Sequence, residues 1–271
     1  MNAKECVGYS MKHIVLMSGG IGSWAAAKRV SEQHGPEDII MLFTDTKTED
    51  EDTYRFLHDA ADNVGGELVI IADGRDIWQV FRDKQFLANS RVDICSRMLK
   101  RELADSWIQE RFQPDEMVGY VGIDWSEEHR YQRMAARKAP YVYKAPLCEA
   151  PWLTKAELHQ WATSEGLEKQ RLYKIGLPHA NCGGGCVKAG VGHWRVLYMK
   201  FPERYLEWEE NEQKLYRDMP KAKPFLRVME NGEDRYMTLR ELRIERLEPE
   251  RQGAACQIDM FDLGGCGCFT E

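Results

Sequence analysis

Two groups of residues in this 271-residue chain have types and spacing suited to chemistry on phosphate and on sulfur. The first is Ser18-Gly19-Gly20-Ile21-Gly22-Ser23, a glycine-rich hexapeptide with hydroxyls at both ends. It follows an apolar run at residues 13–17 (HIVLM) and precedes the helix-forming stretch 24–33 (WAAAKRVSEQ). A turn of this kind points backbone N–H groups, at the positive end of a helix, towards a space that no side chain fills, which is a cradle for phosphate. It lacks the Gly-Lys-Ser/Thr ending of a Walker loop and the spacing of the G-x-G-x-x-G dinucleotide fingerprint.

The second group is Cys182-Gly183-Gly184-Gly185-Cys186, two thiols four positions apart with only glycine between them. Such a turn lets both sulfurs face one ion. Gly264-Gly265-Cys266-Gly267-Cys268 offers similar chemistry near the C-terminus. Cys182, Cys186, Cys266 and Cys268 together would supply four thiolates, which satisfy either one [4Fe-4S] cluster or one tetrahedral zinc. His179 and His193 flank the glycine-cysteine turn.

The elements that must position these groups follow from hydrophobic periodicity. Short apolar runs at 13–17, 38–44, 67–71 and 116–122 alternate with helical stretches at 24–33, 52–64, 76–81 and 96–112. Alternation of this kind predicts a doubly wound, mostly parallel α/β sheet. Residues 1–145 are expected to form the nucleotide-binding α/β domain. Residues 146–271 are expected to form a helical, Cys-rich extension that completes the active site. Within it Thr154-Lys155-Ala156-Glu157 reads as a helix-capping box, 194–219 as an amphipathic helix, and 221–252 as irregular apart from a short helix after Thr238.

Composition excludes some classes. The chain carries 37 Lys+Arg against 44 Asp+Glu, a net charge of -7, so no overall basic field advertises nucleic acid, although a local basic groove is compatible with it. No stretch approaches the roughly 20 apolar residues of a membrane span, and the first residues lack the apolar core of a secretion signal. The expected location is the cytoplasm, where 8 cysteines serve as thiols, ligands or redox groups rather than as a disulfide framework.

The hexapeptide resembles the PP-loop, Ser-Gly-Gly-x-Asp-Ser, of the N-type ATP pyrophosphatases and the phosphoadenosine phosphosulfate (PAPS) reductase family. Three further blocks follow in the same order as in that family. Asp45-Thr46 with Asp52-Thr53-Tyr54-Arg55-Phe56 is similar to its Asp-Thr and Glu-Thr-Tyr-x-Phe pattern. Cys95-Ser96-Arg97-Met98-Leu99-Lys100 is similar to its cysteine-plus-lysine segment, and Gly122-Ile123-Asp124 through Glu127 and Arg130 to its Gly-x-Arg-x-x-Glu segment. The resemblance covers about residues 13 to 135, and it departs from the family at Gly22, where most PP-loops have aspartate.

The resemblance implies an adenine nucleotide, ATP or alternatively PAPS or adenylyl sulfate, held by residues 18–23, Asp45, Thr46 and Gly122. Lys100 and Arg130 would face developing phosphate or sulfate charge. Gly22 puts the magnesium requirement in doubt, with Asp45, Asp124 or Glu127 as substitute carboxylates. By analogy with adenylyl sulfate reductases, Cys95, Cys182 and Cys186 form another ligand set, leaving Cys266 or Cys268 as fourth ligand or reactive thiol. The resemblance favours a cluster over zinc.

Two reactions are compatible with these blocks. An ATP pyrophosphatase would adenylate an acceptor and release pyrophosphate, with sulfur then displacing AMP. That reading admits a sulfur donor protein and a tRNA or DNA acceptor. A PAPS or adenylyl sulfate reductase would attack sulfur with a C-terminal cysteine, Cys268 here. The Glu-Cys-Gly segment of such reductases is missing, which ranks this reaction second. A nucleotide-binding subunit without turnover is the third reading.

Overall fold

The structure is a computed structural model and describes residues 10–89, 91–230, 233–253 and Asp262. The run HIVLM becomes β1 (Lys12–Met17), and Ile21–His34 becomes α1. β2 (Ile39–Asp45), α2 (Glu51–Val64), β3 (Glu67–Ala72) and α3 (Ile77–Lys84) follow. The next helix opens as α4 (Ile94–Ser96), widens into π-helical turns over Arg97–Glu102 and closes as α5 (Leu103–Gln109). β4 (Met117–Val121), α6 (Glu128–Lys138) and β5 (Val142–Lys144) complete the sheet region.

The five strands pair in parallel in the order β3-β2-β1-β4-β5. This is the α/β architecture that the alternating runs predict, with β5 as a short edge strand that they do not show. Both faces of the central strands are buried, as parallel strands covered by crossover helices require. Val15, Met17, Met41 and Phe43 pack with Trp24, Phe56 and Leu57 of α1 and α2. Ile14, Leu16, Ile40 and Leu42 pack with Ala104 and Ile108 of α5 and Met134 of α6 on the other face.

Beyond β5 the chain forms α7 (Lys155–Ser164), α8 (Arg171–Lys174), α9 (Val191–Lys200) and α10 (Pro202–Asp218). The expected capping box is present: Thr154 accepts from the Glu157 amide, and the Glu157 side chain returns to Thr154. The single helix expected over 194–219 is two helices. Pro202 has no N–H to continue α9, so it opens α10 instead.

Residues 221–252, expected to be irregular, contain the antiparallel pair β6 (Leu226–Glu230) and β7 (Glu233–Met237). Leu226, Val228 and Met237 are buried against the α9–α10 layer, a packing gain that a mostly polar sequence conceals. α11 (Leu239–Leu242), opened by a Thr238–Glu241 capping box, runs through π-helical turns at Arg243–Leu247 into α12 (Glu248–Arg251). Among the described residues no helix is long and apolar enough to cross a membrane.

Candidate functional site

The glycine-rich hexapeptide lies at the C-terminal end of β1, where α/β sheets open towards ligands. Gly20 is the N-cap of α1 and makes no side-chain cap, and no acidic residue occupies the first turn. The Ser23 N–H turns back to Gly20 O at 3.2 Å, so the Ile21 and Gly22 amides are those that the first turn of α1 offers to an anion. Ser18 Oγ takes the Gly20 N–H at 3.3 Å and lies 3.3 Å from Ser23 Oγ, while Ser23 Oγ donates to Gly20 O at 2.8 Å. The loop is thus tied to itself.

Its surroundings explain its glycines. A Cβ on Gly22 would stand 2.8 Å from Gly122 O, and one on Gly122 would stand 2.5 Å from the Gly22 carbonyl carbon and the Ser23 nitrogen. The end of β4 therefore packs backbone to backbone on the loop, where an aspartate at 22 would intrude. The remaining wall comes from the later part of the chain: Gln170 Nε2 donates to Gly19 O at 3.0 Å, and Tyr173 Oη stands 3.0 Å from where a Gly20 Cβ would be.

After β2 the acidic turn 48–52 connects the sheet to everything around it. Glu49 Oε1 accepts from Thr46 Oγ1 and Lys100 Nζ, both at 3.1 Å, and Glu49 Oε2 accepts the Cys182 N–H at 2.6 Å. The Lys100 and Glu49 side chains are 1% and 0% exposed. Asp50 takes a bidentate pair of 2.8 Å bonds from Arg171 and faces Arg204 at 3.6 Å. Sequence reasoning sees an acidic loop here and misses Glu49 and Gln170. The signal was four consecutive acids, Glu49-Asp50-Glu51-Asp52, just beyond the Asp45-Thr46 block.

The cysteine turn is buried. Cys182 and Gly183 adopt left-handed backbone (φ 53° and 62°), which for the non-glycine Cys182 costs about 1–2 kcal/mol. A Cβ on Gly185 would stand 2.1 Å from the Trp208 ring, so that glycine admits a tryptophan of α10. The two thiols interact, and that contact together with burial pushes the Cys182 thiol well above its ordinary range. Lys188 N donates to Cys186 Sγ at 3.5 Å. His193 Nε2 donates to Gly184 O at 2.7 Å, and the His179 ring stacks on His193 with centroids 4.9 Å apart. Burial holds both imidazoles below their usual pKa.

A cavity of about 20 Å³ gathers the predicted residues Thr46, Cys95, Lys100, Cys182 and Cys186, with Asp93 on its wall. This volume is about that of one water. Cys95 thus stands with the cysteine pair, as one of the two expected ligand sets requires. Among the described residues, however, no three His, Cys, Asp or Glu side chains form a group able to hold a metal ion. The described donors do not by themselves make a cluster or zinc site. Cys266 and Cys268 lie outside the described residues.

Of the other predicted residues, Gly122 packs on the loop and the rest have local partners. Asp45 Oδ1 accepts from Tyr54 Oη at 2.7 Å and from the Lys47 N–H at 2.8 Å. Asp124 caps the Ser126 amide at 2.9 Å, and Arg130 of α6 pairs with Glu127. The three carboxylates offered as magnesium ligands are each engaged locally. Cys148 donates to Ile123 O, and burial raises its thiol to about 11, which makes it a packing residue.

No family model matches the chain, and no curated protein matches it. Solved structures that share part of its arrangement include the following three. A phosphoadenylyl-sulfate reductase from Candida auris, in a phosphate complex, is 15% identical over 64% of this chain and 81% of that one, with a TM-score of 0.44. A U34-tRNA thiolase from Methanococcus maripaludis, with its [4Fe-4S] cluster, is 14% identical over 79% and 75%, with a TM-score of 0.47. An NH3-dependent NAD synthetase from Campylobacter jejuni, in complex with nitrate, is 15% identical over 79% and 86%, with a TM-score of 0.40. At these values the likenesses carry no residue and no activity over to this chain.

Proposed function

We propose that this protein is a PP-loop enzyme that adenylates an acceptor with ATP and uses its buried cysteine pair in a sulfur transfer that follows. The observation that supports this most is the Glu49 carboxylate, which bonds Thr46, Lys100 and Cys182 at once. The segment after β2 and the cysteine turn thereby meet on one buried carboxylate, an arrangement a simple nucleotide-binding subunit does not need.

In this reading the open amides of α1, with Ser18 and Ser23, hold the phosphates. An acceptor oxygen attacks the alpha-phosphorus and pyrophosphate leaves. The oxygen, poor as a leaving group by itself, then departs as AMP when sulfur attacks the acceptor carbon. Arg130, beside the Gly122 segment, offsets charge on the reacting phosphate. Cys182 and Cys186 receive the sulfur from a donor protein, and a cluster or zinc held there would need ligands beyond the described ones.

The test is purification without oxygen, followed by nucleotide analysis and turnover. ATP retention, and pyrophosphate release that depends on an added RNA or DNA pool, are expected. Retention of PAPS with sulfite released by a thiol donor would replace this reading with the reductase one.

A further inference from the structure

The glycine-rich loop has a neighbour from the later part of the chain. Tyr173 of α8 is 9% exposed, and its Oη stands 3.0 Å from where a Gly20 Cβ would be, with Ser18 Oγ 3.4 Å from the same point. Glycine at 20 thus admits a phenol oxygen to the face of the loop on which Ser18 also converges. A Cβ lies about 3 Å from the next backbone nitrogen, so Oη is no more than about 6 Å from the Ile21 nitrogen. One phosphate, accepting at about 2.8 Å through two of its oxygens, bridges two donors that far apart.

Charge on this side of the loop suits an anion. Lys155 Nζ lies 5.7 Å from the centroid of the Tyr173 ring, and a cation over a phenol makes its hydroxyl a stronger donor. The His159 ring meets the Tyr173 ring edge-on, with centroids 4.7 Å apart. Burial first, then Lys169 and Lys155, bring that imidazole down to about 4, so it is neutral and the charges that act on it are two ammoniums. The segment is also fixed in place. Gln170 donates to Gly19 O, Arg171 holds Asp50 through two bonds, and the Arg171 N–H reaches Asp52 Oδ2 at 2.6 Å. These bonds position Tyr173 without drawing on its hydroxyl.

We infer that Tyr173 completes the anion site of the glycine-rich loop from the α8 side, donating its hydroxyl to the phosphate that the Ile21 and Gly22 amides hold, with Lys155 reinforcing the donor. This inference rests on the proposed function for what that phosphate is, a part of ATP that leaves as pyrophosphate. It gives α8 a direct part in binding the nucleotide, beyond bracing Gly19. The hydroxyl, rather than the ring, is the group that matters: the ring alone would suffice to fill the space beside Gly20.

The test is calorimetric titration of the full chain with inorganic pyrophosphate, alongside the melting temperature of the unliganded protein. Tyr173→Phe keeps the ring and its contacts with His159 and Lys155 and removes only the hydroxyl. It should weaken pyrophosphate binding about tenfold or more, the share of one hydrogen bond to a charged group, and leave the unliganded melting temperature within about 2 °C of the parent. Tyr141→Phe removes a hydroxyl that donates to Phe112 O, at the start of β5 and so at the end of the sheet away from the loop, and should alter pyrophosphate affinity less than twofold. Equal affinity in Tyr173→Phe and the parent, no pyrophosphate binding by the parent, or a loss of affinity accompanied by a larger fall in melting temperature, which would assign the hydroxyl to folding, would each overturn the inference. Pyrophosphate release from ATP, measured on the same samples, fails independently: pyrophosphate bound through Tyr173 without such release removes the proposed function and leaves the anion site standing.

Discussion

Gly22 stands where the PP-loop motif that the hexapeptide resembles carries aspartate, and its surroundings leave a side chain little room. With Gly122 O 2.8 Å from its would-be Cβ, any side chain at 22 pushes the β4 end away from the loop. Gly22→Asp should therefore cost about 1–3 kcal/mol in urea unfolding and weaken ATP retention; a variant that binds ATP more tightly with magnesium would show that the loop has room. Glu49 is the other decisive residue. Removing one partner of a fully buried pair leaves an uncompensated charge, so Glu49→Ala should lose about 3–5 kcal/mol. The double replacement Glu49→Leu with Lys100→Leu should lose less. A single variant within 1 kcal/mol of the parent would contradict the burial of the pair.

At the scale of elements, the cysteine turn is held by helices distant in sequence. Trp208 of α10 fills the space beside Gly185 and lies in an aromatic chain with Trp78 (4.8 Å) and Trp194 (5.3 Å). Gly185→Ala must displace that indole, and a loss of about 1–3 kcal/mol is expected from overpacking. Alkylation of Cys182 and Cys186 in the native protein should become faster, because the turn no longer seats. Unchanged alkylation would mean that the turn is rigid without Trp208. The helix that carries Lys100 holds a π-helical segment at that residue, a distortion often found at functional sites.

Across the whole molecule, the C-terminal layer contributes a pH-dependent stability through Glu212. Its carboxylate accepts from the Leu239 N–H at 2.8 Å and from Tyr216 Oη at 2.9 Å, yet burial raises its pKa from the ordinary 4.5 to about 7. Below 4.5 the group is protonated folded or unfolded. Between 4.5 and 7 only the unfolded chain has released the proton, so stability declines with rising pH by up to about 3 kcal/mol. Urea unfolding from pH 5 to 8 should show this decline, and Glu212→Gln should flatten it. Parallel curves for the two proteins would refute the assignment.

By itself the sequence determined the parallel α/β sheet, because strand and helix periods are local, and the strand–glycine–helix turn at 18–23, because that turn is written in adjacent residues. The thiol pair at 182 and 186 was legible for the same reason. What only the tertiary structure decided depends on contacts between distant segments. Glu49 joins Lys100 to Cys182, Gln170 braces Gly19, and Gly122 excludes a side chain at 22. The β6–β7 pair was hidden because its strands draw their stability from packing on α9 and α10 rather than from a strong alternation of their own. Spacing along a chain reports which groups are neighbours in sequence; which carboxylate meets which ammonium, and whether water reaches them, is fixed only when the helices close over the sheet.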